Sequence, residues 1–291
     1  MSIWEEIKSS FRLGSNLTRL IYINLGVFVV FALLRVILFM AGSSTGWVTG
    51  IMALPANLHS LLVRPWTAIT YMFYHEDFIH ILFNLLWLYW FGRLFLQFFT
   101  QRQLTWVYLL GGISGALFYI LAFNLLPPFR GYAGIALALG ASASVLAVVI
   151  AVATLQPNFS VHLLFLGDVR LKYLAIATVI IDIISIPVSN AGGHIAHLGG
   201  ALFGFLYVVA LRKGTDLAKP FYSLAKLKFP KRKKMKVTYR KNETDYDYNY
   251  RKVQKQKQID EILDKIARSG YDSLTKEEKD ILFKANDRNI N

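Results

Sequence analysis

Long apolar segments dominate the first 212 residues and constrain the fold more than any other feature. Six windows approach the roughly 20 residues that a membrane-spanning helix needs. They cover about 20–41, 78–98, 104–126, 137–155, 171–188 and 193–212. Charged residues make up 17% of the chain, below the roughly 25% of soluble domains, and they concentrate after Arg212. The sequence therefore predicts an all-α membrane protein with six transmembrane helices, and excludes a soluble domain.

Composition and charge divide the chain into four predicted regions. Residues 1–19 form an N-terminal segment, 20–213 the membrane domain, 214–257 a basic linker and 258–291 a small helical segment. In the last region, Thr275 and Glu278 have the spacing of a helix capping box. The net charge of +14 arises mainly after the last apolar window, where Lys and Arg are typical of a cytoplasmic tail. We therefore expect the tail to contact anionic lipid headgroups rather than nucleic acid.

The distribution of Lys and Arg also predicts the orientation of the chain. Basic residues in the short connections cluster on one side of the predicted membrane, together with both termini, and that side is expected to be cytoplasmic. The first apolar segment lacks a following cleavage site, so we interpret it as retained. The second, fourth and sixth windows then start at the outer face. His80, Asn84, Ser142 and His197 would all lie roughly 3–10 Å below that face, at a rise of 1.5 Å per residue.

Ser142 is a candidate nucleophile because two histidines are predicted at the same depth. On its own, a Ser among small residues is typical of helix packing in membranes. His194 and His197 are at i and i+3 on one predicted helix, and either could act as a base. The same pair could bind a metal ion, with His80 as the best third ligand. The chain has no Cys, which excludes thiol catalysis and Cys-ligated metal sites.

Small residues predict a close approach between the helices that carry Ser142 and the two histidines. Gly200 and Gly204 form a GxxxG stripe on much the same face as His197. Close packing of this stripe near Gly140 is what a Ser–His hydrogen bond of about 3 Å requires.

His80 and Asn84 are at i and i+4 and therefore share a face of the second predicted helix. Together with the backbone N–H of Ser142 they could stabilise a tetrahedral oxyanion. Alternatively, Asn84 could form a hydrogen bond between helices.

Three segments, in this order, resemble the signature helices of the rhomboid intramembrane proteases. They are His80-Ile81-Leu82-Phe83-Asn84, Gly140-Ala141-Ser142-Ala143 and Ala196-His197-Leu198-Gly199-Gly200-Ala201-Leu202-Phe203-Gly204. Two further segments, Arg64-Pro65-Trp66-Thr67 and Thr70-Tyr71-Met72-Phe73-Tyr74-His75, look like the first outer loop of that family.

The resemblance implies a six-helix serine endopeptidase of the bacterial type. It would lie in a bacterial inner membrane and cleave single-span membrane proteins near the outer face. Ser142 and His197 would form a catalytic dyad without an acidic third member. His80, Asn84 and the Ser142 N–H would form the oxyanion hole, with no cofactor or metal.

Some residues depart from the family pattern or have no assigned role. Ser144 is a minor rival nucleophile, Leu146 replaces a frequent aromatic beside the catalytic imidazole, and the role of His194 is open. Asp182 falls near the middle of the fifth window, where a charge is costly, and the sequence indicates no partner for it. Two alternatives therefore remain, a catalytically inactive rhomboid-like protein that binds or sorts membrane clients, and a small transporter or metal carrier.

Overall fold

The structure is a computed structural model that describes residues 2–163, 167–226 and 245–286. It divides into two compact units, Met1–Lys228 and Phe229–Asn291. The first unit contains ten α-helices in its described residues: α1 (Ile3–Leu13), α2 (Asn16–Met40), α3 (Gly46–Met52), α4 (Leu58–Val63), α5 (Thr67–Thr70), α6 (Phe78–Phe98), α7 (Gln101–Leu125), α8 (Ser142–Leu155), α9 (Leu171–Ser185) and α10 (Ala191–Arg212).

Four of these helices, α2, α6, α7 and α10, are long and apolar enough to cross a membrane. This agrees with four of the six predicted windows and makes the chain a multi-pass integral membrane protein with an all-α fold. The fourth and fifth windows correspond to α8 and α9, which have 14 and 15 residues. At 1.5 Å per residue they are only about 21 and 22 Å long, shorter than the roughly 30 Å hydrocarbon layer.

The window at 137–155 is shortened because its first residues are not helical. Leu137–Ala138 forms strand β2, which pairs antiparallel with strand β1 (Leu54–Pro55). The loop that follows β2 is held by a backbone hydrogen bond of 2.9 Å from Gly140 N–H to the Tyr71 carbonyl. Helix α8 therefore begins at Ser142, inside the predicted window and not at its first residue.

The core of this unit is formed by α7, α8 and α10, which pack against one another. Helix α8 is buried almost throughout, from Ala143 to Ala153. By contrast, α2 packs mainly on α6 and α7 and exposes several large apolar side chains. A buried central helix surrounded by helices with exposed apolar faces is the arrangement expected where lipid replaces water around the protein.

The first unit also contains a short helix at its start and a hairpin between α8 and α9. Helix α1 begins with a capping box between Ser2 and Glu5 and exposes Trp4 and Phe11. Between α8 and α9, strands β3 (Ser160–Leu163) and β4 (Gly167–Arg170) form an antiparallel hairpin, in which Val161 is opposite Val169.

The second unit contains α11 (Asp245–Ser269) and α12 (Lys276–Asn286). Helix α11 starts earlier than the predicted boundary at 258, so that the end of the expected linker is helical. The predicted capping box at the start of α12 is confirmed. The backbone N–H of Thr275 donates to Glu278 at 2.7 Å, and the Glu278 N–H donates to the Thr275 hydroxyl at 3.3 Å. Residues 227–244 of the predicted basic linker lie outside the described residues.

Candidate active site

A cavity of about 290 Å³ lies among α6, α8, α9 and α10. Its polar lining residues come from four different helices: His80, Asn84, Ser142, Thr178, Asp182 and His197. The remainder of the lining is mostly apolar, with Phe83 and Trp87 on one side and Ile181 on another. These residues lie at the same end of the helix bundle. Helices α6, α8 and α10 begin at that end, and α9 ends there.

Ser142 is the first residue of α8 and is half-buried. Gly140, two residues before it, has φ of +114°, in the region that glycine adopts without strain. A Cβ at Gly140 would also lie 2.6 Å from Cε1 of His80. Glycine is therefore required here both for the turn into α8 and for the close approach of the imidazole.

His197 is within hydrogen-bond distance of Ser142. The Nε2 atom of His197 and the Oγ atom of Ser142 are 2.6 Å apart, although the two residues are 55 positions apart in the sequence. This is the separation expected between a nucleophile and the base that accepts its proton.

Asp182 contacts both histidines of α10, a connection that the sequence did not predict. Its Oδ1 atom lies 2.8 Å from Nδ1 of His197 and 2.8 Å from Nδ1 of His194. The residue lies near the end of α9 rather than in the middle of a span, because α9 ends at Ser185. The expected dyad thus has an acidic neighbour, and Asp182 does have partners.

The carboxylate determines which nitrogen of His197 carries the proton. An ionised carboxylate only accepts hydrogen bonds, so Nδ1 of each histidine is the donor. A neutral imidazole has one N–H, which leaves the Nε2 of His197 with a lone pair facing the Ser142 hydroxyl. The Ser142 O–H therefore donates to Nε2, the direction that proton transfer to His197 requires.

His80 and Asn84 face the same cavity but differ in the hydrogen bonds of their side chains. The Asn84 side-chain N–H₂ donates to the His80 carbonyl at 3.0 Å and lies 3.3 Å from Nε2 of His75. The His80 ring packs beside Gly140 and 5.1 Å, between centroids, from the His75 ring. The described residues provide no hydrogen-bond partner for the His80 side chain.

His75, the last residue of the Thr70–His75 segment, contacts the backbone just before Ser142. Its Nε2 accepts a hydrogen bond of 3.2 Å from the backbone N–H of Ala141, the residue before Ser142. The side chain is buried. Burial, and secondarily the neighbouring His80, lowers the pKa of His75 to about 4. A neutral His75 is thus available as an acceptor that holds the start of α8.

Helix α10 approaches α8 through glycines. A Cβ at Gly200 would fall on the Ala143 carbonyl oxygen, and one at Gly204 on the Ala147 carbonyl oxygen. The two backbones are therefore in direct contact one and two turns away from His197. This contact brings the Ser142 and His197 side chains within bonding distance.

Ser144, the rival nucleophile from the sequence, is separated from the Ser142–His197 pair. Ser144 is fully buried, and its hydroxyl contacts the Met72 sulfur at 3.7 Å. Among the described residues, the group that could hold a metal ion consists of Asp182, His194 and His197. The sequence left open a metal site with His80 as third ligand, whereas Asp182 takes that place in this group.

Comparison with known proteins supports a family assignment. The family model described as "Rhomboid domain" matches residues 63–214, just over half of the chain. A second model, for a family of unknown function (DUF6576), matches residues 242–284. A curated relative, the RHOMBOID-like protein 12, mitochondrial, of Arabidopsis thaliana, is 31% identical over 160 residues, covering 52% of this chain and 48% of the relative. The match thus spans about half the length of that relative.

Proposed function

The chain belongs to the rhomboid family, and we propose that it is an intramembrane serine endopeptidase that cleaves single-span transmembrane proteins. The observation that carries this proposal is the 2.6 Å distance between Ser142 Oγ and His197 Nε2. A serine hydroxyl becomes an efficient nucleophile when an adjacent base accepts its proton. In this mechanism Ser142 attacks the scissile carbonyl and His197 takes the proton, which it later gives to the leaving amine.

Asp182 is proposed as a positioning residue for His197. Its hydrogen bond to Nδ1 holds the tautomer with a free Nε2, and its negative charge stabilises the imidazolium that forms when Ser142 is deprotonated. The proposed site thus has three members in line, Ser142, His197 and Asp182, instead of the dyad that the family resemblance implies.

The start of α8 supports stabilisation of the tetrahedral oxyanion. The first N–H groups of a helix have no partner within it, and the helix dipole adds partial positive charge at that end. The Ser142 N–H is one of these groups. His80 would donate a second hydrogen bond from its ring. Asn84 would contribute after one of its N–H groups leaves His75 or the His80 carbonyl.

The cavity suggests how a substrate helix would reach Ser142. Phe83 and Trp87 of α6 lie across from Thr178 and Ile181 of α9, and Phe83 and Ile181 are exposed on the apolar surface. A transmembrane segment would enter between α6 and α9, and its scissile carbonyl would meet water at the polar end of the cavity. From the Lys and Arg pattern, we propose that this end faces the outer side, with both termini cytoplasmic and the basic tail near anionic headgroups.

Two serines of the same motif provide the test. Cleavage of a single-span reporter in proteoliposomes should be lost in Ser142→Ala and His197→Ala. It should be retained in Ser144→Ala, because the Ser144 hydroxyl faces Met72 and not the cavity. A fluorophosphonate probe should label the wild type and Ser144→Ala, but not Ser142→Ala. Cleavage by Ser142→Ala would refute the assignment.

One observation favours a second candidate, a catalytically inactive rhomboid-like protein that binds or sorts membrane clients. Both N–H groups of the Asn84 amide are directed at protein acceptors, so that the oxyanion hole is incomplete until Asn84 moves. Under this alternative, the purified wild type would bind a transmembrane client without cleaving it and would not react with the fluorophosphonate probe.

A further inference from the structure

Three side chains of the site have their donor atoms close enough to hold a metal ion. They are Asp182, at the end of α9, and His194 and His197, on one face of α10. One ligand atom from each of the three residues lies within 4.8 Å of the other two, and Oδ1 of Asp182 lies 2.8 Å from Nδ1 of each histidine. The side chains are 9%, 18% and 23% exposed, respectively, and the cavity that reaches Ser142 also reaches Asp182 and His197.

We propose that Asp182, His194 and His197 bind a divalent transition metal ion of the zinc type, and that the bound ion switches off the hydrolase. The switching part of this proposal rests on the proposed function, whereas the metal site does not.

The donor set matches the preferences of zinc. Two imidazole nitrogens and one carboxylate oxygen are typical zinc ligands, with bonds of about 2.0–2.2 Å, and an open fourth position is common. Tetrahedral bonds of that length separate ligand atoms by about 3.4 Å. Each His–Asp edge of the cluster is now 2.8 Å, so metal binding requires the side chains to spread by about half an ångström. Side-chain rotation would have to provide this movement.

Metal binding would reverse the hydrogen bond between His197 and Ser142. A metal ion occupies the lone pair of Nδ1, so the single proton of a neutral imidazole must then reside on Nε2. That nitrogen lies 2.6 Å from the Ser142 hydroxyl. It would become a donor to Oγ and would have no lone pair to accept the serine proton. Asp182 would also be bound to the metal instead of holding the Nδ1–H.

His194 is what distinguishes this cluster from an ordinary His–Asp pair. Asp182 and His197 alone would offer two ligands, too few for a stable zinc site. The protein provides a natural comparison in His162 and Asp168, an exposed pair in which Nδ1 and Oδ1 are 2.9 Å apart. This pair lies in the β3–β4 hairpin and has no third ligand among the described residues.

Binding is tested first without catalysis. Full-length Ser142→Ala protein in detergent, stripped with a chelator, is titrated with Zn²⁺ by calorimetry and with Co²⁺ by visible absorption. We expect one equivalent to bind, with at least tenfold weaker binding when His194→Ala or His194→Asn is added, and no change with His162→Ala. Thermal unfolding identifies a variant that has lost its fold. No saturable binding, or equal binding by both folded His194 variants, would overturn the metal site.

The switch is tested in the active wild type. Zinc at a saturating concentration should abolish reporter cleavage, EDTA should restore it, and Mg²⁺ should have no effect. His194→Asn should cleave the reporter but require at least tenfold more zinc for inhibition. Full activity at saturating zinc would overturn the switch. Binding by Ser142→Ala alongside an inactive wild type would instead overturn the proposed protease function and leave the metal site standing.

Discussion

Replacement of Asp182 separates two contributions of the carboxylate, its charge and its hydrogen bonds. Both Nδ1 atoms lie 2.8 Å from the same oxygen, within the range of charge-assisted bonds. In Asp182→Asn the side-chain oxygen could keep both bonds, and the tautomer of His197 with them, while the charge is lost. Asp182→Ala removes the charge and the bonds together.

The expected losses follow from the energies of the two kinds of hydrogen bond. A bond to a charged group contributes about 1.5–3 kcal/mol and a neutral one about 0.5–1.5 kcal/mol. Asp182→Asn therefore loses about 1–1.5 kcal/mol, a decrease in kcat of about 5- to 13-fold at 1.36 kcal/mol per decade. Asp182→Ala forfeits the full amount, a decrease of about 10- to 150-fold. KM should stay constant, because Asp182 acts through His197.

Initial rates of reporter cleavage in proteoliposomes provide kcat and KM, and the rate of fluorophosphonate labelling provides an independent measure of Ser142 reactivity. Asp168→Asn is the matched control, since Asp168 also accepts from a histidine Nδ1 but is 75% exposed. A kcat for Asp182→Ala within twofold of the wild type would refute a positioning role. Equal losses in Asn and Ala would refute the separation of charge from hydrogen-bond geometry.

Three further predictions concern the framework of the site. Gly200→Ala should lower cleavage and the unfolding temperature, because its methyl group would meet the backbone of α8, whereas Gly26→Ala, whose Cβ has nothing within 4 Å, should change neither. Acid should destabilise the protein as the pH falls from about 6.5 to 4. In this range His75 becomes protonated in the unfolded chain, whereas in the folded protein its pKa is about 4 and it stays neutral. The cost is about 3 kcal/mol, measured by thermal unfolding. His75→Ala should slow cleavage by freeing the Ala141 N–H.

The controls for these predictions are equally specific. The wild type should lose more stability than His75→Gln when the pH falls from 6.5 to 4, since glutamine does not titrate; the same decrease in both proteins would contradict the His75 assignment. Gly200→Ala with normal kcat and unfolding temperature would contradict direct backbone contact between α8 and α10. For His75→Ala, cleavage at the wild-type rate would show that the Ala141 contact has no influence on Ser142.

The sequence predicted the positions of the helices better than their lengths. Hydropathy located all six helical segments because apolar composition is a local property. It could not show that Leu137 and Ala138 pair with Leu54 and Pro55, since strand pairing depends on residues far away in the chain. Helix α8 starts only after that paired segment, at Ser142.

The site shows the same division between local and distant information. Ser142, His197 and the glycines of α10 were found from motifs and helical spacing. Asp182 carried a signal, an ionisable residue within an apolar segment, but its partner depended on where α9 ends relative to α10. His75 carried a weaker signal, because a histidine outside the predicted helices has no fixed depth. Its contact with Ala141 N–H required the folded loop before α8.

A shared carboxylate explains why His194 can be present without serving as the base. Both histidines of α10 bond to the same Oδ1 of Asp182, but the described hydrogen bonds connect only His197 to Ser142. His194 thus competes for the negative charge that would stabilise the His197 imidazolium, which works against catalysis. The same competition completes a three-ligand set for a metal ion. His194 therefore weakens the proposed catalytic arrangement and completes the metal site. An inhibitory zinc site would require a residue with both effects.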